Sequence, residues 1–133
     1  MEITVRVENA RVPVTVMQVS GKIDSSTYEA FQASAEELIL GGARHILVDL
    51  TDVPYISSAG LRALHNIFNR LRSIHKDVDD EELRKRMSAG AYKSPYLKIN
   101  ASSADIRNVF TLGGFDIYIE IHNDIAEAAA SFQ

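Results

Sequence analysis

The chain has 133 residues, 46% of them hydrophobic, with a formal net charge of -4 and no cysteine. That length and apolar share suffice for one domain with its own core, while a pI near 5.5 supplies no basic field for nucleic acid. The missing cysteines exclude disulfides, thiol catalysis and thiolate metal sites, and no apolar run approaches the roughly 18 residues of a membrane helix.

Ile3, Val5 and Val7 alternate with polar residues, as do Val12, Val14 and Val16. This period of two predicts a hairpin turning through Asn9-Ala10-Arg11. Met1-Glu2-Ile3-Thr4-Val5 reads directly as strand, without the basic start of an export signal, so the expected compartment is the cytoplasm. A helix follows: Ser26 and Glu29 form a capping box, Tyr28, Phe31, Ala35 and Leu38 make one stripe, and Gly41-Gly42 stops it. His45 to Leu50 is apolar except for Asp49 and predicts a central strand covered on both faces. Leu61, Leu64, Phe68 and Leu71 then mark a helix, and Tyr96-Leu97-Lys98-Ile99 a further strand. Ser102 with Asp105 caps a short helix carrying Ile106, Val109 and Phe110, ended by Gly113-Gly114. The strand Asp116 to Ile121 comes next, and Asn123 opens a last helix with Ile125, Ala128, Ala129 and Phe132 facing inward. The order β-β-α-β-α-β-α-β-α predicts an α/β (or α+β) domain over residues 1–133 with one sheet.

Between Arg72 and Pro95 the composition changes to Asp77, Asp79, Asp80, Glu81 and Glu82 followed by Arg84, Lys85 and Arg86. This is the one candidate insertion. Asp80 can cap a helix in which Glu81 faces Lys85 and Glu82 faces Arg86, each pair contributing only ~0.2–0.5 kcal/mol. Its apolar anchors are chiefly Leu83 and Met87, so it reads either as a solvated excursion or as an element that docks on a partner.

The four histidines, His45, His65, His75 and His122, lack metal-ligand spacing. Asp77-Val78-Asp79 is no calcium loop, because Glu82 and Ser88 occupy the places of its glycine and bidentate glutamate. Gly41-Gly42 and Gly113-Gly114 follow helices and do not open them, which suits caps and not phosphate cradling. No cofactor is expected.

The most informative segment is Val48-Asp49-Leu50-Thr51-Asp52-Val53-Pro54-Tyr55-Ile56-Ser57-Ser58-Ala59-Gly60-Leu61-Arg62. It leads from a buried strand through a loop onto a helix that begins with two serines. Serine at a helix start is usually a cap, so Ser57 is expected to cap while Ser58 faces solvent in the first turn. A phosphate placed on Ser58 would meet unpaired backbone N–H groups and the positive end of the helix dipole.

This segment resembles the signature of the STAS domains (sulfate transporter and anti-sigma-factor antagonist), a loop of pattern Asp-Ser-Ser-Gly-Leu whose first serine is reversibly phosphorylated. Ser57 stands at the Asp, Ser58 at the phosphorylated serine, Ala59 at the second serine, Gly60 at Gly and Leu61 at Leu. Upstream, Val19-Ser20-Gly21-Lys22-Ile23-Asp24 is similar to the family's Gly-x-Leu-Asp at the end of an early strand. Ser57 departs from the pattern by removing a carboxylate beside the acceptor.

The resemblance implies a mixed sheet with helices mainly on one side and a chain that works by binding. Unmodified, such a chain sequesters an anti-sigma factor serine kinase of the histidine-kinase-like ATPase fold; phosphorylation of Ser58 releases it, and a metal-dependent serine phosphatase resets the switch. The partner-binding face implied comprises Asp24, Ser57, Ser58, Ala59, Gly60 and Arg62, and the chain is substrate, not enzyme. Three other roles stay open: an unphosphorylated STAS subunit of a lipid-transport or signalling assembly, an enzyme with Ser58 as nucleophile beside a histidine, and a small-ligand sensor with an apolar pocket. Self-association is left open as well.

Overall fold

The period-two segments form β1 (Glu2–Asn9) and β2 (Pro13–Ser20), which pair antiparallel from Glu2 opposite Ser20 to Asn9 opposite Pro13. The computed structural model describes all residues from Met1 to Gln133. β3 (Ile46–Asp52), β4 (Leu97–Asn100) and β5 (Glu120–His122) add in parallel, giving a five-stranded mixed sheet in the order β1-β2-β3-β4-β5.

Each parallel step needs a crossover, and right-handed crossovers that all advance in one direction put their helices on one face. Accordingly α1 (Tyr28–Leu40), α2 (Ser58–Ile74) and α4 (Ala104–Leu112) cover Met17, Val19, Val48, Leu97 and Ile99 with Phe31, Leu64, Phe68 and Phe110. The opposite face carries only the short α5 (Ile125–Ala130), whose Ala128 and Ala129, with Phe132, pack on Val14, Val16 and Leu47. β3 therefore has apolar cover on both sides, as its run from Ile46 to Leu50 predicts. In α2 the buried residues Gly60, Ala63, Leu64, Ile67, Phe68 and Leu71 recur at the 3.6-residue period and fix which side of the helix faces water.

Several boundaries differ from the expectations. Ser26 and Glu29 make no capping box: α1 starts after Thr27, whose side chain makes no cap bond. Thr27 Oγ1 instead accepts from the Asp24 N–H at 2.9 Å and donates to the Lys22 carbonyl at 2.8 Å. Ser103, not Ser102, caps α4, and Asp124, not Asn123, caps α5. The strand expected over Asp116 to Ile121 shrinks to Glu120–His122, because Gly114 turns the chain at φ 77° and Phe115–Ile117 closes into a 3₁₀ turn. The Phe115 ring there packs against Phe110 and Tyr118.

The charged stretch forms a helix, α3 (Asp80–Ser88), capped by Asp79 and not Asp80. Glu82 pairs with Arg86 at 2.9 Å, whereas the expected Glu81–Lys85 contact is not made. Val78, Leu83 and Met87 are half-buried against the main core. Arg72 secures the entry to the helix: its guanidinium donates to the Val78 carbonyl at 2.9 Å and lies 3.7 Å from Asp77 and 3.5 Å from Asp80. Asp77 also accepts the Tyr92 hydroxyl at 2.9 Å. Burial and that hydrogen bond hold the Tyr92 phenol well above its ordinary range.

Candidate functional site: the paired loops at the start of α2

Two loops meet at the carboxyl ends of β2 and β3. The Gly21 N–H donates to Asp52 O at 3.1 Å, Ile23 N–H to Tyr55 O at 3.0 Å and Ser57 N–H to Ile23 O at 2.9 Å. Ile23 and Ile56 form a parallel bridge between the loops, and both side chains are buried. The sheet thus continues as a narrow zipper beyond its last regular pair, and this places the Asp24 turn beside the Ser57–Ser58 segment.

Ser57 is the N-cap of α2, with extended backbone and a hydroxyl that accepts from the Gly60 N–H at 3.3 Å. Ser58 is the first helical residue and is exposed. α2 carries no acidic residue in its first turn, so the positive end of its dipole is uncompensated within the helix. Arg62, one turn on from Ser58, is exposed. Ala59 is half-buried and Gly60 is buried.

Gly60 has a steric reason that its place in the motif does not reveal. A Cβ there would lie 2.7 Å from Ile56 Cγ1, 2.9 Å from Ile23 Cγ2 and 3.1 Å from the Ile23 carbonyl oxygen. The residue allows the helix to approach the zipper; it shapes the site from beneath.

Asp24 is half-buried, and its carboxylate accepts from the Ser26 hydroxyl at 2.7 Å and the Ser26 N–H at 2.9 Å. These bonds, the hydroxyl's first, hold its pKa below the usual carboxylate value. Asp24 thereby shapes its own turn and keeps a negative charge on the rim. Sequence reasoning passed over Tyr55, which is 51% exposed in the loop before Ser57 and adds an aromatic surface to the same rim. An aromatic residue in a loop, outside any apolar period, was the available signal.

No histidine hydrogen-bonds Ser58. His65 Nδ1 lies 2.9 Å from the Tyr118 hydroxyl and His122 Nε2 lies 3.0 Å from Glu120, while His45 and His75 flank Tyr96. A nucleophilic role for Ser58 therefore lacks the histidine partner it calls for. No group of three or more His, Asp or Glu residues is placed to hold a metal ion, and no helix is long and apolar enough to cross a membrane.

Over 115 residues the chain is 26% identical to BtrV of Bordetella bronchiseptica, a protein named as a candidate anti-sigma factor antagonist; the match spans 86% of this chain and 83% of that one. Among solved structures, an anti-sigma factor antagonist from Mycobacterium paratuberculosis superposes with a TM-score of 0.67 at 21% identity, covering 96% of this chain and 91% of the other. Protein TM1081 of Thermotoga maritima gives a TM-score of 0.70 at 17% identity over 95% and 90% of the two chains. At such identities the two structures establish the fold. Residues 4–78, which run from β1 through α2 and so hold both loops of the zipper, match the STAS domain, and the chain belongs to that family.

Proposed function

We propose that the chain is an anti-sigma-factor antagonist-like partner switch controlled by phosphorylation of Ser58. The observation that carries the reading is the division of labour at the start of α2: Ser57 satisfies the helix end, leaving Ser58 exposed beside it. A phosphate brings roughly -1.5 to -2 charges and three acceptor oxygens. On Ser58 it meets a helix terminus without a carboxylate, with Arg62 at the i,i+4 position that favours an anion followed by a cation. The fold then changes little while the surface charge changes strongly.

Unmodified, the rim formed by Asp24, Tyr55, Ser58 and Arg62 docks an anti-sigma factor that is also a serine kinase of the histidine-kinase-like ATPase fold. Transfer of phosphate to Ser58 places a dianion in that contact and separates the two proteins; a serine phosphatase restores binding. The relative named as a candidate anti-sigma factor antagonist supports the antagonist part of this reading. In this scheme the chain is the kinase's substrate and works in the cytoplasm.

The charged stretch from Arg72 to Pro95, which holds α3, is read as an addition to the family fold.

Ser58→Ala and Ser58→Asp variants used as baits in the source cells test the proposal. Ser58→Ala should retain a soluble kinase of this fold and Ser58→Asp should lose it. Equal retention by both baits, or co-purification with membrane ATPase subunits in place of the kinase, would contradict it.

A further inference from the structure

We propose that β1 is a self-association edge: two copies of the chain pair antiparallel through β1 about Val7, joining their sheets into one. The proposal is independent of the Ser58 switch.

β1 has a neighbour on one side alone, so its outer row of backbone N–H and C=O groups has no strand partner. Edge strands are normally blunted by shortness, proline, a bulge or charged side chains, and the charges of β1, Glu2, Arg6 and Glu8, all lie on one face and leave the other apolar. β1 has eight residues, no proline within it and an unbroken register with β2. Its helix-side face is apolar and uncovered at the far end: Val5 is 48% and Val7 59% exposed. Beside them an open groove of about 570 Å³ runs between the hairpin and the end of α1, lined by Val5, Val7, Val12, Leu38 and Gly42. The ladder and the apolar strip both end without a partner at the same edge.

Charge selects a second copy and its register. Arg6 and Glu8 lie on the other face of β1 and pair with each other at 2.8 Å, both well exposed. When Val7 stands opposite Val7 of the second copy, Arg6 of each chain stands opposite Glu8 of the other, giving two complementary cross-strand pairs. The neighbouring two-fold registers are penalised. Centring on Arg6 sets Arg6 against Arg6, and centring on Val5 sets Glu2 against Glu8. Such a pairing is isologous and closes as a dimer. Val7 pairs with Thr15 near the start of β2, whereas Ser58 follows the carboxyl end of β3, so the dimer leaves both Ser58 rims free.

Sedimentation velocity over a concentration series tests this. A reversible dimer is expected, and Val7→Lys should shift it to monomer. Arg6→Glu and Glu8→Arg should each weaken it roughly tenfold, since each replaces two attractive pairs by two repulsive ones. An equimolar mixture of these two variants should recover the dimer, because every pair across the new edge is again complementary. A misfolded variant cannot mimic that recovery. A monomer at all concentrations up to millimolar, a dimer indifferent to Val7→Lys, or a mixture no tighter than either variant alone would overturn the proposal.

Discussion

At the scale of residues, Ser57 and Ser58 are adjacent and do different things. Ser57 is spent on the Gly60 N–H, and Ser58 is in the first turn, where a carboxylate is favoured by ~0.3–1 kcal/mol. Ser58→Asp should therefore leave the melting temperature nearly unchanged while weakening partner binding; joint loss of folding and binding would make the serine structural. Ser57→Asp should cost little in the unmodified protein, because Asp and Ser cap about equally well. With phosphate on Ser58 the new carboxylate sits beside a like charge, so the same substitution should lower the melting temperature of the phosphorylated form, and salt should shrink that difference. Equal effects in both forms, without salt dependence, would sink the electrostatic account. Gly60→Ala should destabilise by ~1–3 kcal/mol in a denaturant titration, since two isoleucine side chains can shift but the Ile23 carbonyl is held in the zipper. The serine roles were legible in the sequence because capping is local. The steric demand on Gly60 was not, because it arises only where the folded zipper brings Ile56 and the sequence-distant Ile23 together beneath the helix.

At the scale of elements, what the sequence conveys is the existence and type of each piece, and what it blurs is the ends. The apolar stripe of α2 reads directly, since its period survives into the burial pattern. α1 begins one residue later than a Ser26 cap predicts, because Asp24 draws Ser26 into its own turn and Thr27 takes the N-cap position without a side-chain cap bond. Asp116 to Ile121 alternates like a strand, yet the turn at Gly114 and the packing of Phe115 hold its first half in a 3₁₀ turn and leave β5 only Glu120–His122. α3 has few apolar anchors of its own, and the side chain that secures its entry, Arg72, belongs to α2. The Arg72 side chain is 9% exposed, and hydrogen bonds to charged groups contribute about 1.5–3 kcal/mol. Arg72→Ala should lose a comparable amount and raise hydrogen exchange across residues 77–90 more than at the start of α2. Uniform loss of protection would mean that α3 and the sheet unfold as one unit.

For the molecule as a whole, the sheet order follows its chain order, so one layer of crossover helices and one short covering helix account for the fold. The two-faced cover of β3 was visible in its composition; the incomplete cover of β1 was not, because Val5 and Val7 have the pattern of buried residues and are exposed. The core also sets an alkaline limit. Burial pushes the Tyr118 phenol from 10.0 up to about 12, and Tyr92 is raised too. In the unfolded chain these phenols ionise near their ordinary value, so the unfolded state loses protons first and stability falls as pH rises from about 10 to about 12, with no such loss below. The melting temperature should begin to drop near pH 10, and Tyr118→Phe should soften that drop; an identical profile in the variant would remove Tyr118 from the account. The central claim, that Ser58 is the chain's charge switch, is tested most directly by intact-mass measurement and peptide mapping of the protein isolated from its own cells. The account predicts a form carrying one added phosphate, located on Ser58. Phosphate on Ser57 or elsewhere, or a protein unmodified under every growth condition, would contradict it.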